Sequence, residues 1–272
     1  MQSYAILVYS NSKYHDVLDI FFKQLVHHCH SLSSTLAPEI IVLSDQKPQF
    51  TLYDYPDGTA VKVKDLFPIS WFEYSEAEPY WCHITSALSS NPLAKYQYVL
   101  FMQDDFFIDA SFNLNSLERL IDDFSHIPGL AFIRTHPSGH ELYSHNQPNK
   151  FERVPITYNH KYYFIHPLAS YPYSMQATMW KSSDFYNYVF AARQEKVWNE
   201  GCIAYAYAMV KLKILGLSSK SLLIPYISTA VEKGRWATNR QMANSLTNQG
   251  RETVSEILAK YNIDPKIRGF QE

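Results

Sequence analysis

The stretch YVLFMQDDFFI, residues 98–108, decides the fold prediction. Residues 98–102 form a continuous apolar run of strand length, and such runs are typical of parallel strands that are covered on both faces. Asp104 and Asp105 come directly after this run. In an open α/β sheet, ligands bind outside the carboxyl ends of the strands. The stretch therefore predicts a buried strand that delivers two carboxylates to a ligand site.

Two earlier segments repeat the strand pattern on either side of a helical pattern. YAILVYS (4–10) and EIIVLSD (39–45) are apolar runs, and between them apolar residues recur at helical spacing from His15 to about His30. A strand, a helix and a strand in this order predict a right-handed βαβ unit. The sequence also predicts an edge strand at 60–64, helices at 71–88, 116–124, 182–194, 200–212 and 252–261, strands at 130–135 and within 161–180, and a polar loop at 136–155.

Composition excludes several classes of function. The net charge of −2 and the pI near 6.6 give no basic footprint for nucleic acid. The cysteines, Cys29, Cys82 and Cys202, are too far apart to indicate a disulfide framework or a zinc knuckle. The first residues lack the long apolar run of a signal peptide or a membrane span. We expect a cytoplasmic α/β protein with no transmembrane segment and no nucleic-acid partner.

The two adjacent carboxylates raise a geometric question. Successive side chains of a strand point to opposite faces, so Gln103 and Asp105 are predicted to share one face while Asp104 points to the other. A hard divalent cation takes oxygen ligands, and one or two carboxylates can suffice when substrate phosphates complete its shell. The alternative interpretation is that the pair caps the next turn, with an Asp side chain accepting hydrogen bonds from backbone amides.

The stretch WCHITSALSSNPLAKYQYVLFMQDDFFI (81–108) resembles the central segment of a family of bacterial and viral glycosyltransferases of the GT-A fold. In that family a Trp-headed helix precedes a strand ending in DDFF, its version of the DxD motif. Four shorter segments agree with the family in order: SNSKYHDVLDIFFKQL (10–25), MQATMWKSSDF (175–185), EKVWNEG (195–201) and VEKGRW (231–236). The resemblance covers most of the chain, although only the DDFF block is specific.

The resemblance implies a GT-A (Rossmann-like) fold with a mixed, mainly parallel sheet flanked by helices in a single domain. That domain would span residues 1–236, with a nucleotide-sugar half at 1–110 and an acceptor half at 111–236. A C-terminal helical extension would follow at 237–272. The implied reaction is transfer of a sugar from a nucleotide-diphosphate sugar to a hydroxyl of an acceptor glycan. A glycolipid acceptor would bring the protein to a membrane surface as a peripheral partner.

Position by position, the resemblance implies that Asp105 holds Mn²⁺ or Mg²⁺ on the donor diphosphate. Gln103 or Asp104 would then face the donor ribose or sugar. Gln103 stands at the first carboxylate position of a DxD, so the sequence departs there from the strict pattern. A neutral amide can bond a hydroxyl but adds no charge, so the metal requirement is less firmly implied than the fold.

Inverting transfer needs a general base, because an acceptor hydroxyl is a poor nucleophile until its proton is removed. Glu200 is the candidate, with Glu195 as the competing residue. The alternative for Glu200 is a purely structural role at the start of a predicted helix, where an acidic side chain favours the helix dipole.

The departing nucleoside diphosphate gains negative charge, which cations stabilise. Lys233 and Arg235 are the candidate cations, and the alternative is two solvated charges in a loop. Arg134, at a predicted strand end, is expected to reach the donor or acceptor hydroxyls, or to pair with Asp104.

Other predicted contacts concern the sugar and the nucleotide. For the sugar, Trp180 and Trp198 offer flat apolar faces and Gln176 offers an amide, while core packing is the alternative for Trp180. For the nucleotide, the candidates follow the first two predicted strands at the same sheet edge: Tyr9, Ser10, Asn11 and Asp45.

Two other functions compete with a glycosyltransferase. A sugar-phosphate nucleotidyltransferase would share the sheet and the carboxylates, but it is expected to carry a glycine-rich loop after the first strand, and YSNSKYHD (9–16) has no glycine. A catalytically inactive GT-A domain that binds glycans or serves as a scaffold is the non-enzymatic alternative, and Gln103 at a DxD carboxylate position keeps it open.

Overall fold

The computed structural model describes fourteen stretches of the chain. They are residues 4–30, 37–47, 53–54, 60–61, 63–108, 112–136, 157–165, 177–192, 209–221, 223–224, 226–227, 230–232, 234–237 and 253–269.

An eight-stranded sheet forms the centre of the molecule. Its strands are β1 Tyr4–Tyr9, β2 Glu39–Ser44, β3 Ile69–Glu73, β4 Tyr98–Gln103, β5 Leu130–Arg134, β6 Tyr162–Ile165, β7 Thr178–Lys181 and β8 Leu215–Ser219. The spatial order is β6-β8-β5-β7-β4-β1-β2-β3. The strands β1 to β4 run parallel, β5 and β8 pair in parallel, and β7 and β6 are antiparallel to their neighbours. The prediction of an α/β fold with a mixed, mainly parallel sheet is therefore confirmed.

Helices and short elements complete the described part of the chain. The helices are α1 His15–His28, α2 Val63–Leu66, α3 Tyr80–Ser89, α4 Asn91–Ala94, α5 Leu114–His126, α6 Ser182–Ala192 and α7 Val254–Lys260, with 3-10 turns at Ser12–Tyr14 and Pro265–Ile267. Two-residue strands lie at Cys29–His30, Tyr53–Asp54, Ala60–Val61, Phe107–Ile108, Phe112–Asn113, Tyr226–Ile227, Val231–Glu232 and Arg235–Trp236. Among the residues described, no helix is both long and apolar enough to cross a membrane.

Helices cover both faces of the sheet, which explains why its central strands are apolar at every position. In β1, Ile6 and Val8 pack into one core cluster, while Ala5 and Leu7 pack into the other, because side chains alternate along a strand. The helices α1 and α5 contribute to the first cluster, and α3 and α6 contribute to the second. The two buried layers hold the strand ends of β1, β2 and β4 in a fixed register.

A third apolar cluster attaches the C-terminal segment to the domain. Ile257 of α7 is buried in it, together with Val17 of α1, Phe107 and Trp236. The helix α7 begins with a capping box, in which the Thr253 hydroxyl accepts from the Glu256 backbone amide and the Glu256 carboxylate accepts from that of Thr253. The helix predicted at 252–261 is thus present, and it packs on α1.

Two sequence predictions about local structure are wrong. Residues 71–73 of the predicted helix at 71–88 belong to β3, which pairs in parallel with β2, and the helix α3 starts only at Tyr80. Aromatic residues such as Trp71 suit a strand, and the Pro79 cap starts the helix later. The predicted edge strand at 60–64 is reduced to Ala60–Val61, because α2 begins at Val63. Three parts of the predictions lie outside the described residues: 137–155 of the loop, 166–176 of the strand region at 161–180, and 200–208 of the helix at 200–212.

Candidate functional site

The strand order changes direction between β1 and β4. From β1 the chain passes to β2 and β3 on one side, whereas β4 lies on the other side of β1 and runs parallel to it. In this register Tyr9 is opposite Gln103, so both strands end at the same level. Such a switch point is where open α/β sheets bind ligands. We call residues 9–12, 44–45 and 103–105 the carboxyl-edge site.

The two aspartates lie in a turn that ends β4. The Phe106 amide donates to the Gln103 carbonyl at 3.2 Å, and the Asp104 amide donates to the Tyr9 carbonyl at 3.1 Å. Because the extended conformation stops at Gln103, the assignment of Asp104 and Asp105 to opposite faces by strand alternation does not hold. The Asp105 backbone amide also hydrogen-bonds to the Asp104 carboxylate. The chain therefore turns at this position, while the capping alternative, which concerned amides from Phe106 onward, stays a prediction.

Asp104 is a buried carboxyl group with a hydroxyl partner. Only 8% of the residue is exposed, and the Ser10 hydroxyl donates to its Oδ2 at 2.6 Å. Burial raises the pKa of Asp104 well above its usual range, the negative charge of Asp105 raises it further, and the bond from Ser10 offsets only part of this. The ionised form is therefore costly here, and a bound cation would lower that cost.

Asp105 is half-buried and connects the site to the VEKGRW motif. Its carbonyl accepts from the Ala230 amide at 3.1 Å, and the Ala230 carbonyl accepts from the Ala237 amide at 2.9 Å. The motif forms a hairpin in which Val231–Glu232 pairs with Arg235–Trp236, and Gly234 adopts a φ of +81°. The backbone thus attaches the hairpin, with its exposed Arg235, beside the carboxylates.

Asp45 is engaged by the turn that follows β1. The Ser12 amide and the Ser12 hydroxyl each donate to the Asp45 carboxylate at 2.6 Å. Burial raises the pKa of Asp45, but the bonds from Ser12 outweigh it, so the pKa lies below its ordinary value. Asp45 is therefore ionised at neutral pH and fixes the loop that carries Ser10 and Asn11.

An aromatic layer borders the site. The ring of Tyr74 stacks on His83 with centroids 3.8 Å apart and lies parallel to Tyr9 at 5.6 Å. The Tyr9 hydroxyl contacts His83 Nδ1 at 3.2 Å, and Asn11 Nδ2 donates to the Tyr74 hydroxyl at 3.3 Å. Burial is the main cause that raises the pKa of both tyrosines and lowers that of His83. The predicted residues Tyr9 and Asn11 thus belong to one hydrogen-bonded aromatic cluster.

Sequence reasoning missed Tyr74 and His83. Tyr74 follows the last residue of β3, so a correct assignment of that strand places it at the same sheet edge as Tyr9. The erroneous helix at 71–88 concealed this signal.

Arg268 is a second residue that the sequence did not indicate. Its Nε donates to Asp16 Oδ2 at 2.7 Å, and its guanidinium also donates to the Lys13 carbonyl at 2.6 Å. The guanidinium lies over the rings of Tyr14, at 4.7 Å, and Trp236, at 5.7 Å. Its positive charge also favours ionisation of Asp104. Arg268 therefore joins the C-terminal segment to α1 close to the carboxylates.

The predicted sugar-binding role of Trp180 needs correction. Only 1% of Trp180 is exposed, and its indole packs on Phe132 at 4.3 Å and on Phe185 at 4.7 Å. The ring is part of the core between the sheet and α6, so it presents no face to a sugar here. Core packing, the alternative for Trp180, is what the structure has.

The remaining predicted residues are farther away or outside the described part. Arg134 is completely buried at the carboxyl end of β5, which is separated from β4 by β7. Its contact with a donor or acceptor stays a prediction. Five candidates lie outside the described residues: Gln176, Glu195, Trp198, Glu200 and Lys233.

The oxygen donors of the site suit a hard divalent cation. The side-chain atoms of Asp104, Asp105 and Gln103 that could coordinate a cation are all oxygens, which Mg²⁺ and Mn²⁺ prefer as ligands. Within the described ranges, no group of three or more His, Cys, Asp or Glu side chains could hold a metal by itself. A cation bound here would take one or two protein carboxylates and complete its shell with water and phosphate.

Comparison with known proteins finds no protein-family model that matches this chain and no curated protein that matches it. The geometry of the carboxyl-edge site and the sequence motifs are therefore the observations that bear on function.

Proposed function

We propose that the protein is a glycosyltransferase that moves a sugar from a nucleotide-diphosphate sugar to a hydroxyl of an acceptor glycan. The observation that carries the proposal is the pair Asp104 and Asp105 at the switch point between β1 and β4, with Ser10 bonded to the first of them. The DDFF resemblance supports the same reaction class.

A divalent cation, Mn²⁺ or Mg²⁺, is the proposed cofactor. When bound, it would neutralise charge on the donor diphosphate and on the leaving nucleotide. Asp105 would hold it, and Asp104, the preceding residue of the same turn, would add negative charge. The raised pKa of Asp104 supports this assignment, because the cost of a buried carboxylate falls when a cation binds nearby.

The other residues of the site have positioning roles in this proposal. Ser10 fixes the Asp104 carboxyl group, and Asp45 fixes the loop that precedes α1. The rings of Tyr9 and Tyr74 form an aromatic wall beside the nucleotide. Arg235, with Lys233, would stabilise the leaving diphosphate, and Glu200 would take the proton from the acceptor hydroxyl.

Turnover measurements test the reaction and the role of Asp105. Release of nucleotide from UDP-, GDP-, dTDP- and ADP-sugars would be measured with Mn²⁺ for the wild type, Asp105→Asn and Glu200→Gln. We expect each substitution to lower kcat at least about 100-fold, the effect of removing one electrostatic or proton-transfer group from a transition state. Asp122→Asn, an exposed carboxylate on α5, is the matched control and should keep full activity.

Two results would contradict the proposal. Full activity of both variants would overturn the assigned mechanism. Tight binding of a nucleotide sugar without turnover in the wild type would favour the inactive, glycan-binding alternative.

A further inference from the structure

A cavity of about 600 Å³ lies at the amino edge of the sheet, where β4 begins. Cavities of roughly 300–1,000 Å³ are the usual size of small-molecule sites. The walls come from the end of α3, from the residues that lead into β4 and from the start of α6. The side chains that matter for its chemistry are Gln97, Lys181, Ser182, Ser183, Tyr186 and Asn187.

This cavity is separate from the carboxyl-edge site. Tyr98 lines the cavity and starts β4, whereas Gln103 ends that strand next to the aspartates. Five residue steps of about 3.3 Å place the two strand ends roughly 17 Å apart. A small molecule in the cavity therefore does not reach Asp104 or Asp105.

The backbone fixes the walls of the cavity. Lys181, the last residue of β7, is opposite Tyr98 in the antiparallel pair with β4. The chain then enters α6 at once, and the Ser182 amide donates to the Gln97 carbonyl at 2.8 Å. Ser183, Tyr186 and Asn187 have the spacing i, i+3 and i+4, so they share one face of α6. The polar face of the helix and the start of β4 are held together before any ligand binds.

The lining matches hydroxyl groups better than it matches phosphate or metal. Gln97, Ser183 and Asn187 are exposed, and their amides and hydroxyl can both donate and accept.

Charge and aromatic surface narrow the choice of ligand. Among the lining residues Lys181 carries the only formal charge, and it interacts with the Asp184 carboxylate of α6. A multiply charged ligand would find little compensation. The half-buried ring of Tyr186, stacked on Phe190 at 5.7 Å, offers a flat apolar surface. We propose that the amino-edge cavity is a second binding site, and that its ligand is a saccharide held by Gln97, Asn187 and the Tyr186 ring.

Saturation-transfer NMR on the full chain tests this site. The probes are D-glucose, D-galactose, D-mannose, N-acetylglucosamine and N-acetylneuraminic acid. Inorganic phosphate is the anionic probe, and its binding is followed by ³¹P line broadening because it has no carbon-bound proton. We expect at least one saccharide to bind. Gln97→Ala and Asn187→Ala should each raise the Kd of that saccharide about fivefold or more, the effect of losing one hydrogen bond.

Two control variants make the result specific. Ser86→Ala changes an exposed hydroxyl of α3 that does not line the cavity, and it should leave the Kd unchanged. Asp105→Asn should also leave the Kd unchanged, because the carboxyl-edge site lies at the other end of β4. Since Gln97 and Asn187 are exposed, their replacement is expected to preserve the fold.

Three outcomes would overturn the inference. The first is that no saccharide of the panel binds. The second is that Asp105→Asn abolishes saccharide binding while Asn187→Ala does not, which would place the ligand at the carboxyl edge. The third is that phosphate, and no saccharide, responds to Gln97→Ala and Asn187→Ala.

Discussion

Carboxyl groups at the two edges of the central sheet have pKa values shifted in opposite directions. At the amino edge, Glu39 starts β2 and lies 2.9 Å from the Lys95 ammonium. Burial raises its pKa, but the nearby polar side chains of Ser70, Tyr96 and Lys95 outweigh it and hold the pKa below its usual value. At the carboxyl edge, burial and Asp105 raise the pKa of Asp104 far above the ordinary range.

The difference distinguishes a carboxylate that is satisfied within the protein from the carboxylates that we propose bind a ligand. The partners of Glu39 satisfy its charge within the protein. Asp104 has the Ser10 hydroxyl, but the nearby Asp105 makes its ionised form more costly. A raised carboxyl pKa caused by burial and a like charge, at a sheet switch point, is the pattern expected of a functional site.

Trp180→Ala is expected to give the largest change in stability. Trp180 lies next to the amino edge, in contact with Phe132 and Phe185, and its removal leaves a cavity in the core. We expect the free energy of unfolding to fall by about 3–5 kcal/mol, measured by urea denaturation. Trp180→Phe should lose much less. A Trp180→Ala protein of normal stability that fails to bind the sugar would restore the role predicted from the sequence.

Arg268→Met is expected to have a smaller effect at the carboxyl edge. The substitution removes the hydrogen bonds to Asp16 and to the Lys13 carbonyl, and it leaves Asp16 without that partner. We expect a loss of about 2 kcal/mol in the free energy of unfolding. The control Arg119→Met, at an exposed position of α5, should change it by less than about 0.5 kcal/mol. Equal losses in both variants would show that Arg268 does not anchor the C-terminal segment.

The smallest effect is expected for Glu39→Gln, and its pH dependence has a definite sign. The folded pKa of Glu39 is depressed, so its contribution to stability is present above the ordinary value of 4.5 and is lost as pH falls through the folded pKa. Because Lys95 is well exposed, the substitution should cost less than about 1 kcal/mol at pH 7. Urea denaturation at pH 7 and below pH 4 measures the difference, which should shrink at the lower pH.

Asp104→Asn should have a pH-dependent effect on stability opposite in sign to that of Glu39→Gln. The protein must be kept metal-free with a chelator. The folded pKa of Asp104 is raised, so the wild type loses stability as pH rises above the ordinary value of 3.8 toward the folded pKa. The variant should therefore unfold at a higher temperature than the wild type at pH 8, and this advantage should disappear near pH 3. A variant that is less stable at pH 8 would remove the contrast between the two edges.

Continuous apolar runs made much of the fold predictable. The runs at 4–10, 39–45 and 98–102 are covered on both faces, so the sequence located β1, β2 and β4 and the edge where Ser10 and Asp104 meet. The half-exposed strand β3 lacks such a run, so it was not predicted as a strand. The position of Tyr74 at its end was therefore missed.

Tertiary packing decided what the sequence could not. From the sequence alone, an aromatic residue such as Trp180 could belong either to the core or to a sugar-binding site. Its packing against α6 decides between the two. The approach of Arg268 to Asp16 joins residues 252 positions apart, and no local pattern specifies it. The rule of strand alternation applies only where the chain is extended. It could not assign Asp104 and Asp105 to faces, because the turn begins directly after Gln103.

The central claim is that the carboxyl-edge site binds a nucleotide-diphosphate sugar together with a divalent cation. A thermal-shift panel of nucleotide sugars, with and without Mn²⁺, on the wild type and on Asp105→Asn tests it most directly. At 100 times the Kd, binding adds about 2.7 kcal/mol to the stability, so the Tm should rise by about 5 °C or more. We predict that rise for at least one nucleotide sugar, only with Mn²⁺ and only in the wild type. An equal rise in Asp105→Asn, or no rise with any nucleotide sugar, would contradict the account.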